Sequence, residues 1–211
     1  MNLLRMMMDQ YRKPAGWIGR AVAGGMNRWH AALTDWGLAR TGIRDGAVIL
    51  DVGCGGGETV RKLADAHPHS RVYGIDYSAE SIAVSARRNA QGIRAGRVDI
   101  RRASVTDLPF PEGMFDLVLA VETHYFWPDL SSGLREILRV MKPGGDISVI
   151  GEGYAGGKYD DRNRKLSEWA DMSFYGIREF GGLLSAAGFA DVRLFEEYEK
   201  GWFCATARKP G

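Results

Sequence analysis

The chain has 211 residues, 45% of them apolar and 26% charged, with a formal net charge of +2. This length suits one domain with a sizeable core. The composition excludes a disordered or fibrous chain, and so small a charge gives no ground for a nucleic-acid partner.

Residues 1–45 form a mixed segment rich in Met, Trp and Gly, with seven Lys or Arg against three Asp, a local balance of +4. Leu3, Met6, Met7 and Tyr11 recur at helical spacing, as do Met26, Trp29, Leu33 and Trp36. Gly24-Gly25 interrupts between the two sets. The segment reads as a helical cap preceding a main domain over 46–211. Its positive charge fits a solvated helical face, or an arm for an anionic substrate or a membrane surface. There is no signal-peptide core, and no apolar run approaches the roughly 20 residues of a membrane span. The two cysteines, Cys54 and Cys204, have no spacing that suggests a disulfide framework or a zinc site. A soluble cytoplasmic protein without a metal is expected.

From position 47 the pattern becomes regular. Apolar, β-branched runs at 47–52, 71–75, 98–103, 115–121 and 146–150 alternate with helical stretches at 58–66, 79–90 and 130–141. That alternation predicts a parallel sheet with helices on both faces. Lys142-Pro143-Gly144-Gly145 is expected to end the last of these helices and deliver the chain to the next strand. Residues 151–175 read as a small polar insert, with a helix over 162–172. A further helix over 177–187 stops at Gly188. Two final strands, 192–197 and 202–207, are separated by a hairpin-length connection and are expected to be antiparallel to each other. The result is a seven-stranded, mostly parallel Rossmann-like sheet with its last strand reversed.

Gly53, Gly55, Gly56 and Gly57 lie between the first strand and its helix. Glycines there let the backbone approach a ligand, and the helix N-terminus offers unpaired N–H groups. Asp76, at the end of the next strand, is placed to accept both hydroxyls of a ribose. The dinucleotide fingerprint requires glycine at position 58, which is Glu58 here. Asp51 before the loop and Glu58 after it would both repel a pyrophosphate. A nicotinamide oxidoreductase is thereby disfavoured. S-adenosylmethionine, which carries a sulfonium and an ammonium and no phosphate, suits these charges.

Four ordered segments carry a family resemblance. Val48-Ile49-Leu50-Asp51-Val52-Gly53-Cys54-Gly55-Gly56-Gly57 resembles motif I of class I S-adenosylmethionine-dependent methyltransferases, and Gly74-Ile75-Asp76-Tyr77-Ser78 resembles their second cofactor motif. The segment from Asp107 to Val118 is similar to the approach to their fourth strand, and that from Leu134 to Gly145 to the helix and turn before the fifth. The resemblance spans roughly residues 45–150 and lies near the small-molecule, ubiquinone-biosynthesis-type branch. It implies methyl transfer to a small-molecule acceptor, with S-adenosylhomocysteine as product. Carried over, it puts Asp51, Gly53, Cys54 and Gly55 around the methionine part of the cofactor and Asp76 on the ribose. Tyr77 and Val105 would flank the adenine, and Val121 would also face the cofactor. Ser104 stands where the family often has an Asp that binds the adenine amino group, so either a hydroxyl or a backbone group substitutes there, or adenine recognition is looser. Cys54 reads as a small packing residue, although a helix N-terminus beside it can lower a thiol pKa.

In this family the acceptor meets the cofactor beyond the fourth strand, at Val121-Glu122-Thr123-His124-Tyr125-Phe126-Trp127. His124, with an unperturbed pKa near neutrality, is the candidate general base, and Tyr125 beside it is the second catalytic candidate. Transfer can also proceed by alignment alone, because the sulfonium is a good leaving group. Tyr125, Phe126 and Trp127 are candidates for the acceptor wall. Tyr11, Trp17, Tyr154, Tyr159, Trp169 and Tyr175 are lid candidates. Protein or nucleic-acid methylation is an alternative, disfavoured by the absence of Asn-Pro-Pro-Tyr or a nucleophilic Cys after the fourth strand. A non-catalytic S-adenosylmethionine-binding protein is the remaining one. Oligomeric state has no sequence signal.

Overall fold

The computed structural model describes residues 30–170 and 172–211. The helical spacings expected before residue 30, the basic residues among them, and the lid candidates Tyr11 and Trp17 lie outside the described residues.

The described chain runs α1 (Ala31–Leu38), β1 (Val48–Val52), α2 (Glu58–Ala66), β2 (Arg71–Asp76), α3 (Ala79–Arg88), α4 (Ala90–Arg94), β3 (Val98–Arg102), β4 (Phe115–Val121), a 3-10 turn (His124–Phe126), α5 (Leu130–Val140), β5 (Met141–Glu152), α6 (Asp160–Ala170), α7 (Ile177–Ala186), β6 (Ala190–Glu197), a second 3-10 turn (Tyr198–Lys200) and β7 (Trp202–Arg208). Among the described residues, seven strands make one sheet in the order β3-β2-β1-β4-β5-β7-β6. The first five are parallel; β7 runs antiparallel to both β5 and β6. The Rossmann-like fold expected from the sequence is therefore present.

The apolar runs form strands because the sheet is covered on both faces. Leu117, Val118, Leu119 and Ala120 of central β4 are all buried, so the strand reads as a continuous apolar run and not as an alternation. One cluster includes Leu50, Val118, Leu134, Ile137 and Phe180; the other includes Ile49, Val60, Leu63, Val72 and Leu119. Each such side chain contributes about 1.5–3 kcal/mol by leaving water. Helix starts follow local capping. Ser78 Oγ accepts from Ser81 N at the head of α3, and Asp129 Oδ1 from Ser131 N at the head of α5.

Two boundaries differ from the sequence reading, each for a tertiary reason. The helix expected over 79–90 breaks at Asn89, whose Nδ2 donates to the carbonyls of Gly57 (3.0 Å) and Ser85 (2.9 Å). The chain resumes as α4. Lys142-Pro143-Gly144-Gly145 is not a connection ahead of a strand. It is a bulge inside β5, because Met141 already pairs with Phe115 before the register resumes at Leu117↔Asp146. Lys142 Nζ lies 2.8 Å from Asp116 Oδ2 across that bulge.

The sheet order reverses between β1 and β4, and open sheets of this kind bind ligands outside the strand carboxyl ends at that point. The register sets Val52 opposite both Ile75 and Ala120. The ends of β1, β2 and β4 therefore converge.

Candidate functional site

A cleft of about 240 Å³ opens there. Its wall takes Val52 and Gly53 from the end of β1, Ile75, Asp76 and Tyr77 from β2, Ala103, Ser104 and Val105 after β3, and Thr123, Phe126, Trp127 and Pro128 after β4.

The glycine loop is folded tightly over the end of β2. Gly53 N and Cys54 N both donate to the Ile75 carbonyl at 2.8 Å. Gly53 has φ +74°, and a Cβ at that position would lie 2.1 Å from Thr123 Oγ1. Only glycine combines this backbone conformation with this contact. Asp76 is tied from two sides: Oδ2 accepts from Gly55 N at 3.0 Å, and Oδ1 from Ser78 N at 2.8 Å. Burial raises the Asp76 pKa and these backbone bonds oppose the rise.

Asp51 is 2% exposed on β1, and its Oδ2 has no hydrogen-bond partner. Burial pushes its pKa up to about 7, with the nearby Asp76 charge adding to the effect. A buried carboxylate oxygen without a donor is costly. Burial and the charges of Asp51 and Asp76 also raise the Cys54 thiol well above its ordinary value, and Cys54 Sγ lies 3.8 Å from Ser85 Oγ. That thiol stays protonated, and the helix terminus beside it does not lower its pKa.

Of the residues singled out from the sequence as cofactor-binding, Gly53, Asp76, Tyr77, Ser104 and Val105 are on the cleft wall; Asp51 precedes the wall residue Val52 in the chain, and Gly55 donates its N–H to Asp76 of the wall. Cys54 and Val121 are not on it. Cys54 packs with Val60, Leu63 and Val72, and Val121 against Leu33, Ile150 and Cys204. Ser104 Oγ lies 2.9 Å from Thr106 Oγ1. Val52, Ile75, Ala103 and Pro128 of the wall have no chemical signature that sequence reasoning could have used.

The two residues expected to be catalytic are elsewhere. His124 and Tyr125 are each 2% exposed and absent from the cleft wall. The His124 ring sits 5.3 Å from both Phe180 and Phe203, its Nδ1 has no partner, and burial lowers its pKa to about 3. A neutral, enclosed imidazole of this kind does not fit the general-base role expected of it. Their neighbours Phe126 and Trp127 do reach the wall, and Trp127 Nε1 points at Thr123 Oγ1 (3.4 Å).

Beside the cleft stands Glu122, which sequence reasoning did not single out. Its backbone is left-handed (φ +56°), a strain of about 1–3 kcal/mol for a residue of this type. Oε1 receives the Glu152 N–H and lies 2.8 Å from the Tyr125 hydroxyl, while Oε2 is 3.5 Å from His30 Nε2. Burial drives the Glu122 pKa up to about 8, against the opposing pull of those two hydrogen bonds. Among the described residues, no group of three or more His, Cys, Asp or Glu could hold a metal ion, and no helix is long and apolar enough to cross a membrane.

Comparison with known proteins agrees with this geometry. A family profile described as "Methyltransferase domain" matches residues 49–145. The uncharacterized methyltransferase YdaC of Bacillus subtilis is 28% identical over 180 residues, which is 84% of this chain and 92% of the relative. Demethylmenaquinone methyltransferase of Symbiobacterium thermophilum is 35% identical over 124 residues, 58% of this chain and 48% of the relative. The chain thus spans nearly all of one relative and about half of the other. Among solved structures, one from the Haloferax volcanii complex between the Trm112 methyltransferase activator and a methyltransferase superposes with a TM-score of 0.78. It is 21% identical, with 90% of this chain and 95% of that chain covered.

Proposed function

Because the chain is a class I S-adenosylmethionine-dependent methyltransferase, we propose that its cleft holds S-adenosylmethionine and presents the methyl group to a small-molecule acceptor. The observation that carries this reading is the unpartnered, buried Asp51 oxygen two residues before Gly53, beside a cleft walled by Asp76, Tyr77, Ser104 and Val105. A buried carboxylate with one oxygen lacking a donor suits a cationic, N–H-rich group and repels a phosphate. When bound, the cofactor supplies a methyl group activated by its sulfonium.

The chain's own residues then divide the work. Asp51 and the loop from Gly53 to Gly55 receive the methionine end. Asp76, already held by backbone N–H groups, accepts the ribose hydroxyls. Tyr77 and Val105 enclose the adenine, with Ser104 at its edge. Phe126 and Trp127 form the acceptor side of the wall, where apolar surface excludes water and fixes the line of attack. The acceptor is a small molecule, since the cleft is modest in volume and one of the relatives is named for a demethylated quinone. His124 and Tyr125 contribute packing and hydrogen bonding behind the wall.

Titration calorimetry tests the assignment. The full chain should bind both S-adenosylmethionine and S-adenosylhomocysteine, and Asp76→Ala should weaken each by at least about tenfold, the loss of charged hydrogen bonds worth about 1.5–3 kcal/mol apiece. Equal affinity in the variant would remove the ribose assignment.

A further inference from the structure

We propose that Glu122 is the general base of the reaction, taking the proton of an acceptor whose nucleophilic atom bears an O–H or N–H. This rests on the cofactor reading above.

Three features of the geometry carry it. First, Glu122 adjoins Thr123, a residue of the cleft wall whose side chain packs against Gly53. Glu122 is not itself on that wall; it follows the end of β4, which pairs with β1, one residue from the wall. Second, its left-handed backbone is not relieved by glycine or by an Asx-type side chain. Asp191, the other non-glycine residue at positive φ among those described, lies at the register shift of edge strand β6. Strain of this kind persists where the surroundings over-determine it, and such places cluster at active sites. Third, the hydrogen bonds of Glu122 allow both protonation states. The Tyr125 hydroxyl lies 2.8 Å from Oε1 and 3.0 Å from the Glu152 carbonyl oxygen. It donates to Oε1 of the carboxylate, and Oε1 remains an acceptor when a proton sits on Oε2, so this bond holds in both states. Oε2 is left facing His30 Nε2, and the Glu122 side chain keeps 15% of its surface exposed.

In the transfer step the acceptor's O–H or N–H proton passes to Glu122 Oε2 as the new bond to the methyl carbon forms. The methyl–sulfur bond breaks with its electron pair remaining on sulfur, so charge and atoms balance. The groups facing Glu122 are Tyr125 from the turn after β4, Glu152 from β5, Arg162 from α6 and His30 ahead of α1. Arg162 is itself paired with Glu152 at 2.9 Å. The hydrogen bonds from Glu152 and Tyr125 and the charge of Arg162 favour the ionised form, but burial outweighs them and keeps the Glu122 carboxyl largely protonated at neutral pH. A sulfonium nearby favours the ionised form, so binding of the methyl donor arms the base.

The two cofactor forms differ in that charge, which gives a test independent of turnover. The full chain, labelled with carbon-13 at glutamate carboxyls, is titrated by NMR with S-adenosylmethionine and with S-adenosylhomocysteine. The Glu122 signal is identified by its absence from Glu122→Gln or, if that protein does not fold, by its absence from Glu122→Asp. Its midpoint should lie at least about one pH unit lower with the sulfonium form than with the thioether form, as expected for a charge within several ångströms in a partly buried site. Equal midpoints in the two complexes would overturn the proposal while leaving cofactor binding intact. If neither form binds in calorimetry, the cofactor reading fails and the base assignment falls with it. Acceptors found in a panel of phenols, amines and thiols add a second readout. Glu122→Gln should lose about 10²–10⁴-fold in turnover with an O–H or N–H acceptor, and a wild-type rate would also overturn the assignment.

Discussion

Asp51 and Glu122 are both carboxylates pushed upward by burial, and in each case the charge is disfavoured until a cation arrives. For Asp51 the consequence is visible in the protein without ligand. Its folded pKa of about 7 lies above its ordinary value of 3.8, so the folded state holds a proton that the unfolded chain has released. The associated stability is complete below about pH 4 and is lost as pH rises through 7, up to about 4 kcal/mol for a shift of roughly three units. Urea midpoints measured from pH 4 to 8 should fall more steeply for the natural protein than for Asp51→Asn. Parallel curves would mean that Asp51 is not buried as a carboxyl. At this scale Asp51 and Asp76 were legible because each is placed by its own strand end, a local property. The direction of the His124 ring was not: it depends on Phe180 and Phe203, which are distant in the chain.

Elements show the same division. The strands from 115–121 and 71–76 follow from predominantly apolar, β-branched runs, and α2 begins at Glu58 as expected from the glycine loop before it. The bulge at Lys142–Gly145 was misread as a connection because the turn residues are the same in both settings. What decides is the partner Phe115, which Met141 already engages. Helix α1 depends on close approach. A Cβ at Gly37 would lie 2.4 Å from Ile150 Cδ1, and Thr41 Oγ1, just past the helix, is 2.8 Å from Ser148 Oγ of β5. Gly37→Leu should push α1 from the sheet and cost about 1–3 kcal/mol, read as a lower melting temperature. An unchanged melting temperature would show that α1 does not pack on β5 in this way. Because α1 follows His30 directly, the same variant should weaken the contact between His30 and Glu122.

For the molecule as a whole, the cleft lies where the ends of four strands and the loops after them meet, and a ligand there should couple to global stability. S-adenosylmethionine at about 100 times its dissociation constant adds about 2.7 kcal/mol. For a chain of this size that corresponds to a rise of roughly 5–10 °C in melting temperature. Thermal scans should show that shift, and a smaller one for Asp76→Ala at the same concentration. No shift at that concentration would mean that the folded chain does not bind the cofactor.

The sequence by itself determined the strand and helix order, the reversed last strand, the glycine loop, and the carboxylates at the ends of the first two strands. All of these are written in local periodicity and turn chemistry, which neighbouring residues settle among themselves. The tertiary structure alone decided which residues of the run from Val121 to Trp127 face the cleft. There the backbone leaves the strand at Glu122 with a positive φ and enters a 3-10 turn, so the two-residue alternation that predicts side-chain direction no longer applies. Packing against β5 and α7 then sends His124 and Tyr125 inward, Phe126 and Trp127 to the wall. It also brings Glu122 against His30 and Glu152, a juxtaposition that no spacing along the chain encodes.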